Sequence, residues 1–157
     1  MGNSSRRFHE STFESATCFA SVEEGRNIAI KLARGTAALH RAGIIHRDIK
    51  PDNVILERDA SLRLIDLGVV RVPGLEDFPP EDVPGTPAYM APEMFAGEPG
   101  NEATDIYALG VTMFRAFTGE FPYGNPDATS PPRRDRPRLF FDRPRLFSDS
   151  KGCGGRV

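Results

Sequence analysis

The segment Thr104–Thr118 constrains the fold more than any other part of this chain. Apolar side chains (Ile106, Tyr107, Leu109, Val111, Met113, Phe114, Phe117) surround it on nearly every side. With Thr104 as N-cap and Gly119 as stop it reads as a helix. A helix apolar all round belongs in the middle of a domain, not on its surface. Other elements must therefore wrap it. A second helix is predicted from Ser21 to Ala42: Ser21 and Glu24 form a capping box, Ile28, Leu32 and Leu39 share one face, and Gly43 ends it. At 1.5 Å per residue it spans roughly 30 Å, the width of a small domain. From Ile44 to about Gly100 the chain reads as short strands and loops. Val54-Ile55-Leu56 and Leu62-Arg63-Leu64-Ile65, separated by Glu57–Ser61, make a hairpin. The fold class expected is mainly α with a short β-hairpin.

A chain of 157 residues, 39% hydrophobic and 27% charged, suits one soluble globular domain. The charge is uneven. Residues 1–130 hold 12 Lys+Arg against 19 Asp+Glu, a net −7, whereas residues 131–157 hold 8 against 3, a net +5. The overall −2 gives no reason to expect nucleic acid as a partner. No apolar run approaches the ~18 residues of a membrane span, so none is expected. Cys18 and Cys153 lack CxxC spacing and read as free thiols of a reducing compartment, which makes the cytoplasm the expected location. Three stretches follow: a loose lead-in over 1–20, a folded unit over 21–125, and a Pro/Arg-rich tail over 126–157 expected to be disordered. Within the tail, Asp135-Arg-Pro-Arg-Leu-Phe140 recurs as Asp142-Arg-Pro-Arg-Leu-Phe147. The repeat reads either as a basic docking segment or as a local duplication without a fold; one repeat pair cannot build a solenoid.

The chemistry lies in residues 46–93. His46-Arg47-Asp48-Ile49-Lys50-Pro51-Asp52-Asn53 runs directly into the first hairpin strand, and Asp66-Leu67-Gly68 follows the second. If the turn centres between Asp59 and Ala60, antiparallel pairing sets Asn53 opposite Asp66. A carboxylate and an amide oxygen at one hairpin mouth are hard oxygen ligands, suited to Mg²⁺ held between protein and phosphates. Asp48 precedes Asn53 on the same loop, near enough to meet a hydroxyl beside that metal. Lys50 adds a point charge for a transferring phosphoryl group.

These residues resemble the protein kinase family. The catalytic-loop pattern H-R-D-x-K-x-x-N is met by His46, Arg47, Asp48, Lys50 and Asn53. D-F-G is met by Asp66 and Gly68 with Leu67 in place of Phe, and A-P-E by Ala91-Pro92-Glu93 after Gly85-Thr86-Pro87-Ala88-Tyr89-Met90. Six specified residues in 46–53, counting Pro51, would arise by chance in about one chain in 10⁵ or fewer. The likeness covers about residues 20–125.

The resemblance implies a kinase-like large lobe and ATP-dependent transfer to protein Ser/Thr hydroxyls. It implies Asp48 as the catalytic base, Lys50 as the γ-phosphate contact of serine/threonine specificity, and Asn53 and Asp66 as Mg²⁺ ligands. Thr86 is implied to bond to Asp48 and Lys50, Asp105 to anchor the catalytic-loop backbone, and His46 to be a packed residue. Leu67 should keep an apolar plug behind Asp66. His9 and His40 read as ordinary polar positions, and Asp52 as a solvated acid.

The departures from the family are equally informative. No G-x-G-x-x-G loop and no V-A-I-K strand occur in the sequence. The unit is therefore expected to be truncated at both ends and inactive by itself. It would need a separate nucleotide lobe or another kinase chain, or else act as a non-catalytic interaction fragment or a truncated gene product. The family's usual arginine partner for Glu93 is also missing, with Arg133 and Arg134 as substitutes. Between Gly68 and Gly85 there is no Ser, Thr or Tyr, but there are four acids, Glu76, Asp77, Glu81 and Asp82. Either one of them pairs with Arg47 and orders the loop without phosphorylation, or all four are solvated.

Overall fold

A computed structural model of the chain describes residues 11–12, 22–57, 61–75 and 84–124. The expectations for Cys18, Cys153, His9, Ser21, the four loop acids, Arg133, Arg134 and the tail repeat lie outside these residues.

The first helix, α1, runs Val22–Arg41, with Glu23 and Glu24 in its first turn and His40 and Arg41 in its last, the arrangement its dipole favours. Gly43 (φ 73°) takes the left-handed conformation that ends it. Ile28, Leu32 and Thr36 are buried at helical spacing, and full burial of Leu32 stabilises the fold by about 1.5–3 kcal/mol.

A one-turn 3-10 segment, Pro51–Asn53, leads into strand β2 (Val54–Leu56), which pairs antiparallel with β3 (Leu62–Leu64). A short strand β1 (Ser11–Thr12) pairs antiparallel with the other edge of β2 and gives the order β1-β2-β3. That third strand falls in the stretch read as a lead-in, and two residues are too few to leave a periodic signal.

The register differs by one from expectation. Val54 faces Leu64 and Leu56 faces Leu62, and Glu57 N donates to Ser61 O at 2.9 Å. Three residues, not two, therefore cross the hairpin end, and pairing centres on position 59. Asn53 accordingly meets Ile65, whose N–H donates to Asn53 O at 2.9 Å. Asp66 lies one step past the ladder.

A short helix α2 (Pro92–Phe95) precedes α3 (Glu102–Thr118). Thr104 is not the N-cap. Asn101 is, accepting from Ala103 N, while Thr104 at the N3 position reaches back to Asn101 N at 2.9 Å. Gly119 (φ 72°) closes the helix as expected. On one side α3 packs into a cluster with Ile28, Leu32 and Val54, through Met113 and Ala116. On another it packs with Ile49 and Tyr89, through Ala108 and Val111. The helix is central but not enclosed: Ile106 is 56% exposed and Gly110 has open space around it. No described helix is long and apolar enough to cross a membrane.

Candidate active site

Residues 46–50 join α1 to the 3-10 turn, and α3 fixes their backbone. The Asp105 carboxylate, fully buried, accepts His46 N on Oδ2 and Arg47 N on Oδ1, both at 2.8 Å. His40 Nε2 lies 2.8 Å from the same Oδ2. Thr112, two turns further along α3, donates its hydroxyl to Ile49 O at 3.2 Å. These bonds support an unusual backbone. Arg47 has φ 67°, a left-handed conformation that costs a non-glycine residue roughly 1–2 kcal/mol. Its buried side chain donates to the carbonyls of Val69 (2.7 Å), Pro99 (3.2 Å) and Val70 (3.4 Å). Gly100 (φ 81°) lies against this side chain; a Cβ there would sit 3.4 Å from Arg47 Cδ.

Asp48 follows and points into a polar cluster. Its Oδ1 accepts the Thr86 hydroxyl at 2.7 Å and Thr86 N at 3.1 Å. Its Oδ2 meets Lys50 Nζ at 2.8 Å and Asn53 Nδ2 at 3.0 Å. Lys50 Nζ also donates to the Thr86 hydroxyl at 2.8 Å. Burial pushes the Asp48 carboxyl up. The hydrogen bonds of Lys50, Thr86 and Asn53, with the charge of Lys50, outweigh it and hold the group below the usual carboxylate range. Asp48 is thus an ionised acceptor at neutral pH. The structure brings Asp48, Lys50, Asn53 and Thr86 into one cluster.

Asn53 and Asp66 fit a hard divalent cation by their donor chemistry. Asn53 Nδ2 donates to Asp48 O (2.8 Å) and Asp48 Oδ2, so the amide oxygen is the atom that would ligate a cation. Asp66 (φ 62°) follows the residue that bonds to Asn53 O. It is exposed, and its Oδ1 accepts Gly68 N at 3.2 Å. Two oxygen ligands with the rest from phosphates and water is the usual Mg²⁺ pattern. Among the described residues no group of three or more His, Cys, Asp and Glu side chains could hold a metal.

Leu67 is 52% exposed, so it is not a plug behind Asp66; nothing described covers it. His46 is packed as the resemblance implied, fully buried, with Nε2 lacking a partner and Nδ1 3.4 Å from Asp48 N. His40 is not an ordinary polar position, given its bond to Asp105. Glu93 Oε1 accepts the Thr104 hydroxyl at 3.2 Å. His40 and Thr112 serve the site without any signal in the sequence, since each acts through a tertiary contact.

The profile of the protein kinase domain matches residues 5–141 of this chain. The chain belongs to the protein kinase family. The match reaches further at both ends than the motifs do. Among curated proteins, the serine/threonine-protein kinase PknK of Mycobacterium tuberculosis is 39% identical over 100 residues, 64% of this chain and 9% of that protein. The serine/threonine-protein kinase PknD of Chlamydia caviae is 37% identical over 121 residues, 66% of this chain and 13% of that one. PknL of Mycobacterium tuberculosis is 36% identical over 97 residues, 61% of this chain and 24% of that protein. The kinase chain described here thus spans a quarter or less of the length of these relatives.

Proposed function

We propose that this segment carries the catalytic loop of a serine/threonine protein kinase, which transfers the terminal phosphoryl group of ATP to a Ser or Thr hydroxyl of a protein. The observation that carries this reading is the Asp48 carboxylate, kept ionised and gripped by Lys50, Asn53 and Thr86. Four donors fill its two oxygens, so an entering substrate hydroxyl displaces one of them. In that position Asp48 orients the hydroxyl and takes its proton. Lys50 turns its charge to the transferring group, and Thr86 marks where the substrate backbone approaches. Asn53 and Asp66 would hold Mg²⁺, and Mg-ATP supplies the phosphoryl group and the neutralisation of its charge.

The exposed Leu67 (52%), next to Asp66, favours a polypeptide cover on that side, either a nucleotide lobe or another kinase chain. By itself the segment should bind Mg-ATP weakly, because its ligands reach only metal and phosphate. A cytoplasmic site of action completes the proposal. The test joins the segment in one chain to the nucleotide lobe of a related kinase and measures phosphorylation of a generic Ser/Thr substrate. Activity should appear, and Asp48→Asn should lower turnover at least about 10²-fold. An unchanged rate in Asp48→Asn would remove Asp48 from the role given to it.

A further inference from the structure

Thr86 meets Asp48 only if the turn that carries it is seated, and the seat is built on α3. Tyr89 N and Met90 N both donate to Thr86 O, at 2.9 and 3.1 Å, which closes residues 86–90 into one tight turn. The Tyr89 ring, 3% exposed, packs in the cluster of Ile49, Ala108 and Val111. Ile49 lies between Asp48 and Lys50, so Tyr89 joins the two halves of the site from below. Its hydroxyl accepts from Arg115 Nη1. The Arg115 guanidinium also lies over the Phe121 ring, 4.7 Å from the centroid. Phe121 meets Tyr89 edge to face, with centroids 5.6 Å apart and planes at 69°. Each of these three side chains therefore touches the other two.

The placement of Arg115 on α3 adds a second, independent observation. Asp105, Ala108, Thr112 and Arg115 follow at helical spacing along one face. From that face Asp105 takes the backbone of His46 and Arg47, Thr112 bonds to Ile49 O, and Arg115 reaches the 86–90 turn through Tyr89. One rigid face thus grips both the loop that carries Asp48 and the turn that carries Thr86. A guanidinium suits the last position. It is always charged, it stacks flat on an aromatic ring, and it keeps donors at fixed angles for the phenol oxygen.

We infer that Arg115 is a positioning residue that seats the 86–90 turn through Tyr89, and so keeps Thr86 on Asp48 and Lys50. The use of that turn in phosphoryl transfer rests on the kinase reading above; the seat itself does not.

Amide hydrogen exchange followed by NMR on the full chain tests it. Thr86 N–H bonds to Asp48 Oδ1 and reports the seat. His46 and Arg47 N–H bond to Asp105 and report the rest of the loop. Arg115→Met removes the charge and the donors but keeps an apolar stem. Thr86 should then exchange roughly tenfold faster, the scale of one lost hydrogen bond to a charged group, with a shifted resonance, while His46 and Arg47 keep their rates. Tyr89→Phe removes only the hydroxyl and should act in the same direction, which covers an Arg115→Met chain that does not fold. Arg115→Lys should restore part of the protection. Unchanged Thr86 exchange in Arg115→Met or in Tyr89→Phe overturns the inference. So does equal acceleration at Thr86, His46 and Arg47, which would mean general loosening. No activity is read, so a chain that shows the seat yet transfers no phosphoryl group when joined to a nucleotide lobe counts against the kinase reading alone.

Discussion

Removing the Asp105 side chain should cost more stability than any surface substitution in this chain. The carboxylate is fully buried and accepts two backbone N–H groups from residues that are themselves 0% and 3% exposed. Asp105→Ala strands both donors away from water. Each stranded group costs about 1–3 kcal/mol, and the His40 ring loses its partner as well. These losses share one acceptor and do not simply add. Some strain is returned, because Arg47 no longer has to hold φ 67°. The net expectation is about 3–5 kcal/mol, the usual cost of removing one member of a buried charged network. Asp105→Asn keeps one acceptor oxygen but turns an NH₂ toward the second N–H, and should cost about half as much. Urea unfolding followed by helical circular dichroism measures both. With a slope of about 1–3 kcal/mol per molar urea, Asp105→Ala should lower the midpoint by at least about 1 M. If the alanine chain is unfolded without urea, the asparagine chain supplies the graded value. A loss below about 1 kcal/mol for Asp105→Ala would refute the reasoning, since that is what an exposed position gives.

Two further outcomes follow from the same cluster. His46→Phe removes the buried Nε2, which has no partner, and Nδ1, which accepts Asp48 N only at 3.4 Å, so thermal unfolding should show a loss of no more than about 1 kcal/mol; a loss above about 2 kcal/mol would refute a ring held by packing rather than by hydrogen bonds. Asp48 is held below its ordinary value, near 3.9 in the unfolded chain. Its contribution to stability is therefore full above that value and lost as pH falls through the folded one. Stability of Asp48→Asn should fall less steeply than that of the parent below about pH 4, and identical acid slopes in the two chains would contradict the assignment.

How much of this was legible in the sequence depends on how far apart the partners lie. Asp48, Lys50 and Asn53 share one short loop, so their clustering follows from spacing alone. Thr86 is 38 positions from Asp48, and Asp105 is 59 from His46. Neither pairing leaves a periodic trace, and both were reached only through the resemblance to kinases. The hairpin was legible as a hairpin, but its register turned on whether two or three residues cross the end, and composition there does not decide that. One step of register moved the partner of Asn53 from Asp66 to Ile65. The start of α3 shows the same limit. Asn101 and Thr104 can each cap a helix, and only the reciprocal bonds between them show which is the cap. Apolarity also failed as a guide to burial at Leu67 and Ile106, because it says that a cover is favourable without saying that one is present. Arg115 and Tyr89 are 26 positions apart, and their pairing left no signal, although Tyr89 lay within a motif.

The anchoring of the catalytic loop by Asp105 has a consequence for synthesis. The chain is made from its N-terminus, so His46 leaves the ribosome 59 residues ahead of the carboxylate that fixes it. At the usual ~5–20 residues per second, that interval lasts about 3–12 s. For those seconds Asp48 and Lys50 are already outside, but the α3 residues that pack on α1 are not, and Arg47 has no Asp105 to hold it in a left-handed conformation. The nascent loop is therefore an ordinary flexible connection, and its buried donors are still hydrated. Any slowing of translation between the emergence of position 46 and that of position 105 would lengthen this open period. The site is finished by its last contributing helix, not by the loop that bears its reactive groups.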